Sequence, residues 1–370
     1  MSGTIIAVAA NKLTRTDDAL TITAGGQKVS GWTEIEVTLR AEGFPPSFAI
    51  GMSSKGPIEL TARAGQACEV RIGGDLVITG YIDRDTQSGT ATSHTVQLVG
   101  RGKTQDLVDC SGEWPSGQQT NVDALQIATT LAKPYGITVA LAEGAVAGAA
   151  VPQWLLNFGE TGADIIQRVA RNAHLLAYEA PDGRLLLAAV GAKGAASGAV
   201  YGQNVEAWSA ENAMDGRYSE IVCCRLATDS LQELGGDDFY DTVIDPNVPR
   251  HRRLYAVVES TGADDPYAFT SNKAKWDIAR RAGRSVPVHV TLDSWRDSAG
   301  SLWAPNTLVP VEIPGNRGGS PLVLSEVTFR RDNENGTSAD LTLMPRTAFV
   351  PEPIALQPIN LNGLVGPGSQ

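Results

Sequence analysis

Alternating apolar and polar positions dominate the first third of the chain. Ile35, Val37 and Leu39 alternate with charged and polar residues, as in a strand that buries one face and exposes the other. Two further runs are joined by Gly73-Gly74-Asp75, and a glycine turn between alternating runs predicts a hairpin. Strands at this spacing over residues 20 to 110 predict a small β-barrel or sandwich.

The pattern changes to a helical period after residue 110. Apolar residues three and four apart predict a helix over 121–133, which its first residue, an asparagine, would cap. A second helix is predicted over 161–173, where Thr161 and Asp164 match a capping box. Asp182-Gly183 then separates two apolar runs and predicts a hairpin. This middle part is therefore predicted to be a small α+β unit.

Strands return from about residue 207, interrupted by a long polar loop and by a helix predicted over 271–283. The later strands are predicted at 286–292, 308–313, 322–329 and 339–343. The fold class is thus mainly β with α+β insertions. We divide the chain into four parts: a first β unit at 1–110, the α+β unit at 111–206, a second β unit at 207–350 and a Pro-rich extended tail at 351–370.

Composition narrows the range of partners. The chain has 370 residues, 42% of them hydrophobic and 19% charged, which is typical of a folded protein with several domains. A formal net charge of −11 argues against a general phosphate-binding surface and allows DNA only as passing cargo.

The apolar run Ile5–Ala10 is too short for a signal core, and no run approaches the length of a membrane span. We therefore expect no stable membrane insertion.

Residue patterns for catalysis or cofactor binding are missing from the sequence. The four histidines are widely separated, and neither a phosphate-binding P-loop nor a nucleophile elbow occurs. The acid pairs Asp106 with Asp109 and Asp293 with Asp297 have the residue type of a glycosidase pair, but acids in turns are normally solvated. We expect no catalytic site, no cofactor and no metal.

Cysteine and tryptophan positions favour packing over chemistry. Cys68, Cys110 and the adjacent Cys223 and Cys224 lack paired metal-ligand spacing, so buried free thiols are favoured over a metal or disulfide role. Trp295 and Trp303 flank a polar turn. They are predicted to pack together at the ends of a hairpin, with stacking on a ligand as the alternative.

Two charged or apolar segments are candidate interfaces. An acidic stretch over 229–245 is followed by a basic cluster with Arg250, Arg252 and Arg253. The two segments are either a solvated loop and turn or a charge-complementary contact with a partner. The tail 351–370 is either a disordered end or an arm on a neighbouring subunit. Its apolar side chains would then make the contacts, and they are Ile354, Leu356, Ile359 and Leu361.

Several segments, in this order, resemble one known family. The most telling are Gly31-Trp32, then Ile78–Asp83, then the run from Gly100 to Cys110 that reads GRGKTQDLVDC. Later come Asp293-Ser294-Trp295, Gly300–Asn306, and Leu343–Arg346 with Phe349. Their order and spacing are similar to those of the baseplate hub proteins of Mu-like contractile-tailed phages, which are related to the late-control D proteins of P2-like phages. The resemblance covers roughly residues 28 to 350.

This resemblance implies a structural role. The family's subunits carry two tube-like β-barrel domains and a small α+β domain, and three subunits form a homotrimer. The implied function is a symmetry adapter that joins the hexameric tail tube protein to the trimeric central spike protein, contacts other baseplate proteins and lines the DNA channel during ejection. The protein would be assembled in the host cytoplasm and located in the virion. The alternatives are a glycan- or receptor-binding tail module and, with less support, a cell-wall-degrading tail enzyme.

Overall fold

The computed structural model describes seven stretches of the chain, residues 18–56, 61–114, 118–155, 159–226, 240–259, 266–315 and 319–349. Every structural statement below refers to these stretches. The predicted fold class is confirmed: the protein is mainly β, with two strand-rich units and a small α+β unit.

The strands of the first unit are β1 (Leu20–Ala24), β2 (Gln27–Ser30), β3 (Glu34–Arg40), β4 (Ser47–Ser54), β5 (Ala67–Ile72), β6 (Asp75–Gly89) and β7 (His94–Gly102). The middle unit holds β8 (Gln118–Val122), β9 (Val139–Leu141), β10 (Val151–Leu155), β11 (Leu176–Glu179) and β12 (Leu185–Ala188). The later strands are β13 (Lys193–Gly194), β14 (Ala199–Val200), β15 (Val205–Ala210), β16 (Glu220–Leu226), β17 (Tyr240–Ile244), β18 (Arg253–Glu259), β19 (Val288–Leu292), β20 (Thr307–Val309), β21 (Val311–Glu312), β22 (Leu322–Asp332) and β23 (Gly336–Met344). The helices are α1 (Gln105–Asp109), α2 (Ala124–Ala132), α3 (Gly162–Asn172) and α4 (Pro266–Arg284), with 3-10 turns at Lys133–Tyr135 and Arg346–Phe349.

One thirteen-stranded sheet joins the two strand-rich units. Its main path runs β15-β19-β23-β22-β3-β4-β7-β6-β5-β1-β2, and the antiparallel pair β22–β3 connects the units. The alternation of β3 places Ile35 and Val37 in the core, as predicted, while Glu34 and Glu36 stay exposed. One continuous core, which includes side chains from both units, lies on this face of the sheet. Each large side chain buried there stabilises the fold by about 1.5–3 kcal/mol.

The two units have the same strand arrangement. Strands β3 to β7 pair as β3–β4, β4–β7, β6–β7 and β5–β6, all antiparallel. Strands β15, β19, β20, β22 and β23 repeat these pairings in the same chain order, as β15–β19, β19–β23, β22–β23 and β20–β22. Even an irregularity recurs, because the pairing register shifts between Ile82 and Arg84 in β6 and between Leu324 and Glu326 in β22. The structure therefore contains an internal repeat that the sequence does not show.

The α+β unit packs α2 and α3 against β9, β11 and β12. The predicted capping box of α3 is confirmed: Thr161 accepts a hydrogen bond from the Asp164 amide at 3.1 Å, and the Asp164 carboxylate accepts one from the Thr161 amide. The predicted cap of α2 is wrong by two residues. Asp123, paired with Gln126, caps this helix, while Asn121 lies in β8. Both residues suit an N-cap, so their composition alone does not choose between them.

A second insertion lies between β15 and β19. It contains α4, which begins at Pro266 rather than near Ser271, and a three-stranded sheet with the order β17-β16-β18. Ile221 and Cys223 are fully buried on the face of this sheet that packs against α4. In the first repeat the corresponding connection, between β3 and β4, is only residues 41–46.

Trp295 and Trp303 pack in the core, as predicted. The Trp303 amide donates to the Trp295 carbonyl oxygen at 3.1 Å, and both side chains are almost fully buried. The Trp295 indole N–H donates to the Ser338 carbonyl oxygen at 2.8 Å, and its ring meets Phe329 edge to face. The cysteines are free thiols, and Cys68 and Cys223 are buried as expected. The expectation is wrong for Cys110, which is exposed directly after α1, and Cys224 is only half-buried.

Candidate functional site

The junction between the first β unit and the α+β unit is built from the motif at residues 100–104. Strands β6 and β7 approach so closely here that a Cβ at Gly80 would lie 1.9 Å from the Arg101 carbonyl oxygen. A Cβ at Gly100 would lie 2.3 Å from the Tyr81 carbonyl oxygen. Real Cβ atoms do not come this close, so glycine is required by lack of space rather than by a special backbone angle.

Glu179 fastens the α+β unit to this motif. Its carboxylate accepts hydrogen bonds from the backbone amides of Lys103 at 3.0 Å and Thr104 at 2.8 Å, and from the Thr104 hydroxyl. Burial raises the pKa of Glu179 to about 7, although these hydrogen bonds act in the opposite direction. The Lys103 ammonium donates to the Gly136 carbonyl oxygen at 2.6 Å. The motif that carries the resemblance is thus an inter-unit joint rather than a phosphate-binding loop.

Arg101 strengthens the joint from the exposed side. Its guanidinium donates to Asp83 at 2.7 Å and to both carboxylate oxygens of Asp109, at 3.1 and 2.7 Å. This pairing lowers the pKa of Asp109, which is therefore an ionised structural partner. Asp297 is also structural, because it accepts backbone hydrogen bonds from Ala299 and Ser301 in the turn between the two tryptophans.

The face of the large sheet opposite the core is polar, and several of its charges are paired. Arg40 bonds Glu326 at 2.7 Å, across the seam between the two units. Arg330 contacts Glu36 at 2.5 Å and Asp340 at 2.8 Å, so it joins three strands. Cations held by carboxylates in this way offer little free positive charge to a phosphate.

The large sheet has open strand edges at β15 and along part of β6, besides its terminal strand β2. β15 is the end of the main path, and among the described residues no strand pairs with 206–210 on the side away from β19. Trp208 on this strand is 37% exposed. β5 pairs only with Asp75–Tyr81 of β6, so the following part of β6, Asp83–Gly89, also has no strand partner there on the side away from β7. Exposed edges of this kind are sites for pairing with another chain.

The inserted three-stranded sheet exposes apolar side chains on the face away from α4. Ile244, Tyr255 and Val257 are 69, 60 and 59% exposed, respectively. The pairing register puts these three side chains on one face. Ile244, Tyr255 and Val257 pair with Glu220, Val222 and Cys224, respectively, and these alternate residues of β16 point to the same side. We call this surface, made of Ile244, Arg253, Tyr255 and Val257, the insertion face.

Comparisons with known proteins identify the family. The chain is 30% identical over 345 residues to the baseplate hub protein gp44 of Escherichia phage Mu, and the match covers 90% of this chain and 89% of that protein. The chain belongs to this family of Mu-like baseplate hub proteins.

Family models and solved structures agree with this assignment. Residues 19–102 match the N-terminal domain of the Mu phage baseplate assembly protein GpP-like family, 104–189 the second domain of the gp44-like baseplate hub family, and 267–352 the fourth domain of the GpP family. The crystal structure of the 43 kDa tail protein of prophage MuSo2 from Shewanella oneidensis is 29% identical with a TM-score of 0.80, and covers 90% of this chain and 100% of its own. A tail protein from Neisseria meningitidis MC58 shares the fold at 23% identity with a TM-score of 0.75, covering 90% and 98%.

The hub protein is therefore a structural component of a phage tail baseplate and not an enzyme. Its described residues contain no group of His, Cys, Asp and Glu side chains arranged to hold a metal ion. None of the helices within these stretches is long and apolar enough to cross a membrane.

The predicted interface arginines of the hub have different environments. Arg252 points inward, where its guanidinium donates to the carbonyl oxygens of Arg217 at 2.8 Å and Asp215 at 2.7 Å. Arg253 lies on the insertion face, where it pairs with Glu220 and contacts the Tyr255 ring. Arg250 is exposed three residues before β18. Arg253 thus lies on the insertion face, and Arg252 anchors its strand from behind.

The apolar interface candidates of the tail lie outside the described residues: Ile354, Leu356, Ile359 and Leu361. The same holds for most of the acidic stretch, although Asp245 is described and forms a buried ion pair with Arg217 at 2.5 Å. The sequence reasoning missed Ile244, Tyr255 and Val257. The alternation of Arg253, Tyr255 and Val257 was the available signal, but it does not reveal which face another element covers.

Proposed function

We propose that three copies of the hub protein form a ring that adapts the sixfold symmetry of the tail tube to the threefold symmetry of the central spike, and that DNA passes through its centre. The observation that carries this proposal is the internal repeat. Two similar units per chain give six similar units in a trimer, so the ring is close to sixfold although its subunits are three.

The open edges support this closure. Within the chain, β22 of the second unit pairs with β3 of the first unit. In the repeat β6 corresponds to β22 and β15 corresponds to β3, so the same pairing between neighbouring subunits joins β6 of one copy to β15 of the next. Eight strands per chain, from β15 to β6 along the sheet path, then give a closed ring of twenty-four strands in which the open edges of β15 and β6 are paired.

The polar face opposite the core would line the channel of this ring. Two of its arginines are held by carboxylates, at Arg40–Glu326 and Arg330–Glu36, and the chain carries a net charge of −11. Such a surface lets phosphates pass without binding them. The same proposal includes assembly in the host cytoplasm and contacts with other baseplate proteins. It also includes the division of the chain into four parts at residues 110, 206 and 350, with the tail 351–370 as an arm on the neighbouring subunit.

The molecular mass of the native chain in solution tests whether a ring forms. A proline substitution in the open edge of β15 tests whether this edge makes the contact between subunits. The Glu211 and Ala213 amides bond toward β19, so the alternation of an antiparallel strand directs the Ala210 amide outward. Ala210→Pro removes this outward donor and is compatible with an edge strand. We expect light scattering to give three times 39.0 kDa for the native chain and at least a tenfold weaker association for the variant.

The matched control is Lys28→Pro in β2, the other end of the sheet path. Its amide also points outward, since β1 and β2 are joined by a two-residue turn and Ala24 pairs with Gln27. This variant keeps the trimer if β6 and β15 form the contact. A monomer of the native chain at all concentrations argues against the ring, and loss of the trimer only in the control argues against the proposed edges.

A further inference from the structure

The internal repeat contains the information that fixes which residues of β6 and β15 meet between neighbouring copies. In both units the pairing register shifts directly before one residue, Arg84 in β6 and Glu326 in β22. The pairing across each unit from these two residues gives two corresponding rows. The rows are Arg84, Val99, Ala49 and Glu36 in the first unit, and Glu326, Thr342, His289 and Ser209 in the second. Arg84 therefore corresponds to Glu326, and Ser209 corresponds to Glu36.

The contact between the two units within one chain then supplies the register. There Arg330 of β22 pairs with Glu36 of β3. Arg330 lies four residues after the start of its row, as Ser88 does in β6, so the same pairing between copies places Ser88 opposite Ser209. The adjoining pairs follow from the antiparallel direction of the strands. They are Gly89 with Trp208, Gln87 with Ala210, and Thr86 with Glu211.

The backbone hydrogen bonds of the two open edges agree with this register. On β15 the Glu211 amide bonds toward β19, so the Ala210 amide points outward. On β6 the Thr90 amide bonds to Ser93 on the side of β7, so the alternation of the strand leaves Gln87 pointing outward. Ala210 and Gln87 are opposite in the inferred register, and their outward amides and carbonyls can bond each other. A shift by one residue would place each outward group opposite one that is already bonded within its own chain.

Two charged side chains at these edges have no charged partner within the described part of the chain. Arg84 and Glu211 are both exposed, and their positions in the rows put them on the polar face of the sheet. On the same face Arg40 and Arg330 are each held by a carboxylate. In the inferred register Arg84 lies diagonally across from Glu211, at a separation that an arginine side chain spans.

The opposite side of the contact matches a large side chain with a glycine. Trp208 pairs with the buried Val290, so its ring lies on the core side of the sheet edge. A Cβ at Gly89 would lie 3.4 Å from its nearest neighbours, an ordinary contact, so the fold of one chain does not require glycine there. The missing side chain leaves room for the Trp208 ring of the next copy. An aromatic ring across an edge glycine stabilises the pairing of two strands.

We propose that β6 and β15 of neighbouring copies pair in this single register, with an Arg84–Glu211 ion pair on the polar face and Trp208 over Gly89 on the core side. The inference rests on the ring proposed above and adds the residues by which one copy recognises the next. The occupant of both edges is a second copy of the chain, because the pairing of β22 with β3 is its template.

Disulfide formation between copies tests the register. Ser88 and Ser209 both direct their amides into their own chain, so they form the closer, non-hydrogen-bonded type of pair, which suits a disulfide. The variant is Ser88→Cys with Ser209→Cys in a chain whose exposed thiol is removed by Cys110→Ser. The matched control in the same chain is Ser88→Cys with Ala210→Cys, whose side chains point to opposite faces of the sheet.

We expect mild oxidation to give a covalent trimer on a denaturing gel for the first pair, and at least tenfold less of it for the control. Light scattering of the same variants before oxidation reports the ring itself. A trimer that does not form this cross-link, or that forms it equally in the control, overturns the register and leaves the ring intact. A monomer overturns both.

Charge exchange tests the ion pair. We expect Glu211→Arg to weaken association at least tenfold, measured by analytical ultracentrifugation, because it places two arginines beside each other. Arg84→Glu combined with Glu211→Arg restores association to within threefold of the native value. The control Glu206→Arg makes the same charge change in β15 beyond the paired segment and leaves association unchanged. Failure of the exchanged pair to restore association, or equal weakening by the control, overturns the ion pair.

Discussion

Replacing Gly80 with alanine is expected to destabilise the hub by about 3 kcal/mol or more. The added Cβ would lie 1.9 Å from the Arg101 carbonyl oxygen and 2.7 Å from the Gly102 Cα. Both are backbone atoms of the paired strand β7, so no side-chain rotation relieves the collision. The strands must separate where the joint to the α+β unit begins. Urea denaturation followed by circular dichroism measures the loss.

Gly74→Ala is the control for this substitution. Gly74 lies in the neighbouring hairpin turn, and a Cβ there meets no atom within 4 Å. We expect its free energy of unfolding to stay within about 0.5 kcal/mol of the native value. Equal stability of the two alanine variants would show that β6 and β7 do not approach as closely as the structure indicates.

Glu179→Ala is expected to cost about 3 kcal/mol as well, for a different reason. The substitution leaves the amides of Lys103 and Thr104 without their acceptor in a buried site, and each unsatisfied donor costs about 1–3 kcal/mol. Asp182→Ala, which removes an exposed carboxylate paired with Arg184 at 2.6 Å, is expected to cost less than about 1 kcal/mol. Comparable losses in both variants would contradict the role of Glu179 as the fastening group.

The same carboxyl group predicts a pH dependence of stability. The pKa of Glu179 is about 7 in the folded protein, against 4.5 for an ordinary glutamate, so between these values the folded state binds more protons than the unfolded state. Its contribution to stability is therefore complete below pH 4.5 and is lost as the pH rises toward 7, by on the order of 3 kcal/mol. Unfolding measured from pH 4.5 to 7.5 should show this fall in the native chain and not in Glu179→Ala. An equal slope in both would contradict the prediction.

Local patterns predicted local structure in this chain. The alternation around Val37 gave a half-buried strand, and Thr161 with Asp164 gave a helix start, because each depends on neighbours within a few residues. Trp295 and Trp303 were placed in a packed hairpin for the same reason. The fold class and the family resemblance followed from the order of such segments.

The long-range arrangement could not be predicted in this way. Arg40 and Glu326 form an ion pair across 286 residues, and nothing near either position specifies the other. The internal repeat is likewise a pattern of strand pairing, which different side chains can satisfy. Exposure of the insertion face depends on which side α4 covers, so Tyr255 and Val257 became candidates only when the tertiary structure was known.

Electron microscopy of the purified hub, at a resolution that separates strands, will show whether the strand edges of neighbouring subunits close a threefold ring. We expect a ring of three subunits in which β15 of each copy lies antiparallel to β6 of the next, with Trp208 covered at the contact. A ring in which these two strands remain apart and exposed, or particles of a single subunit, would contradict it.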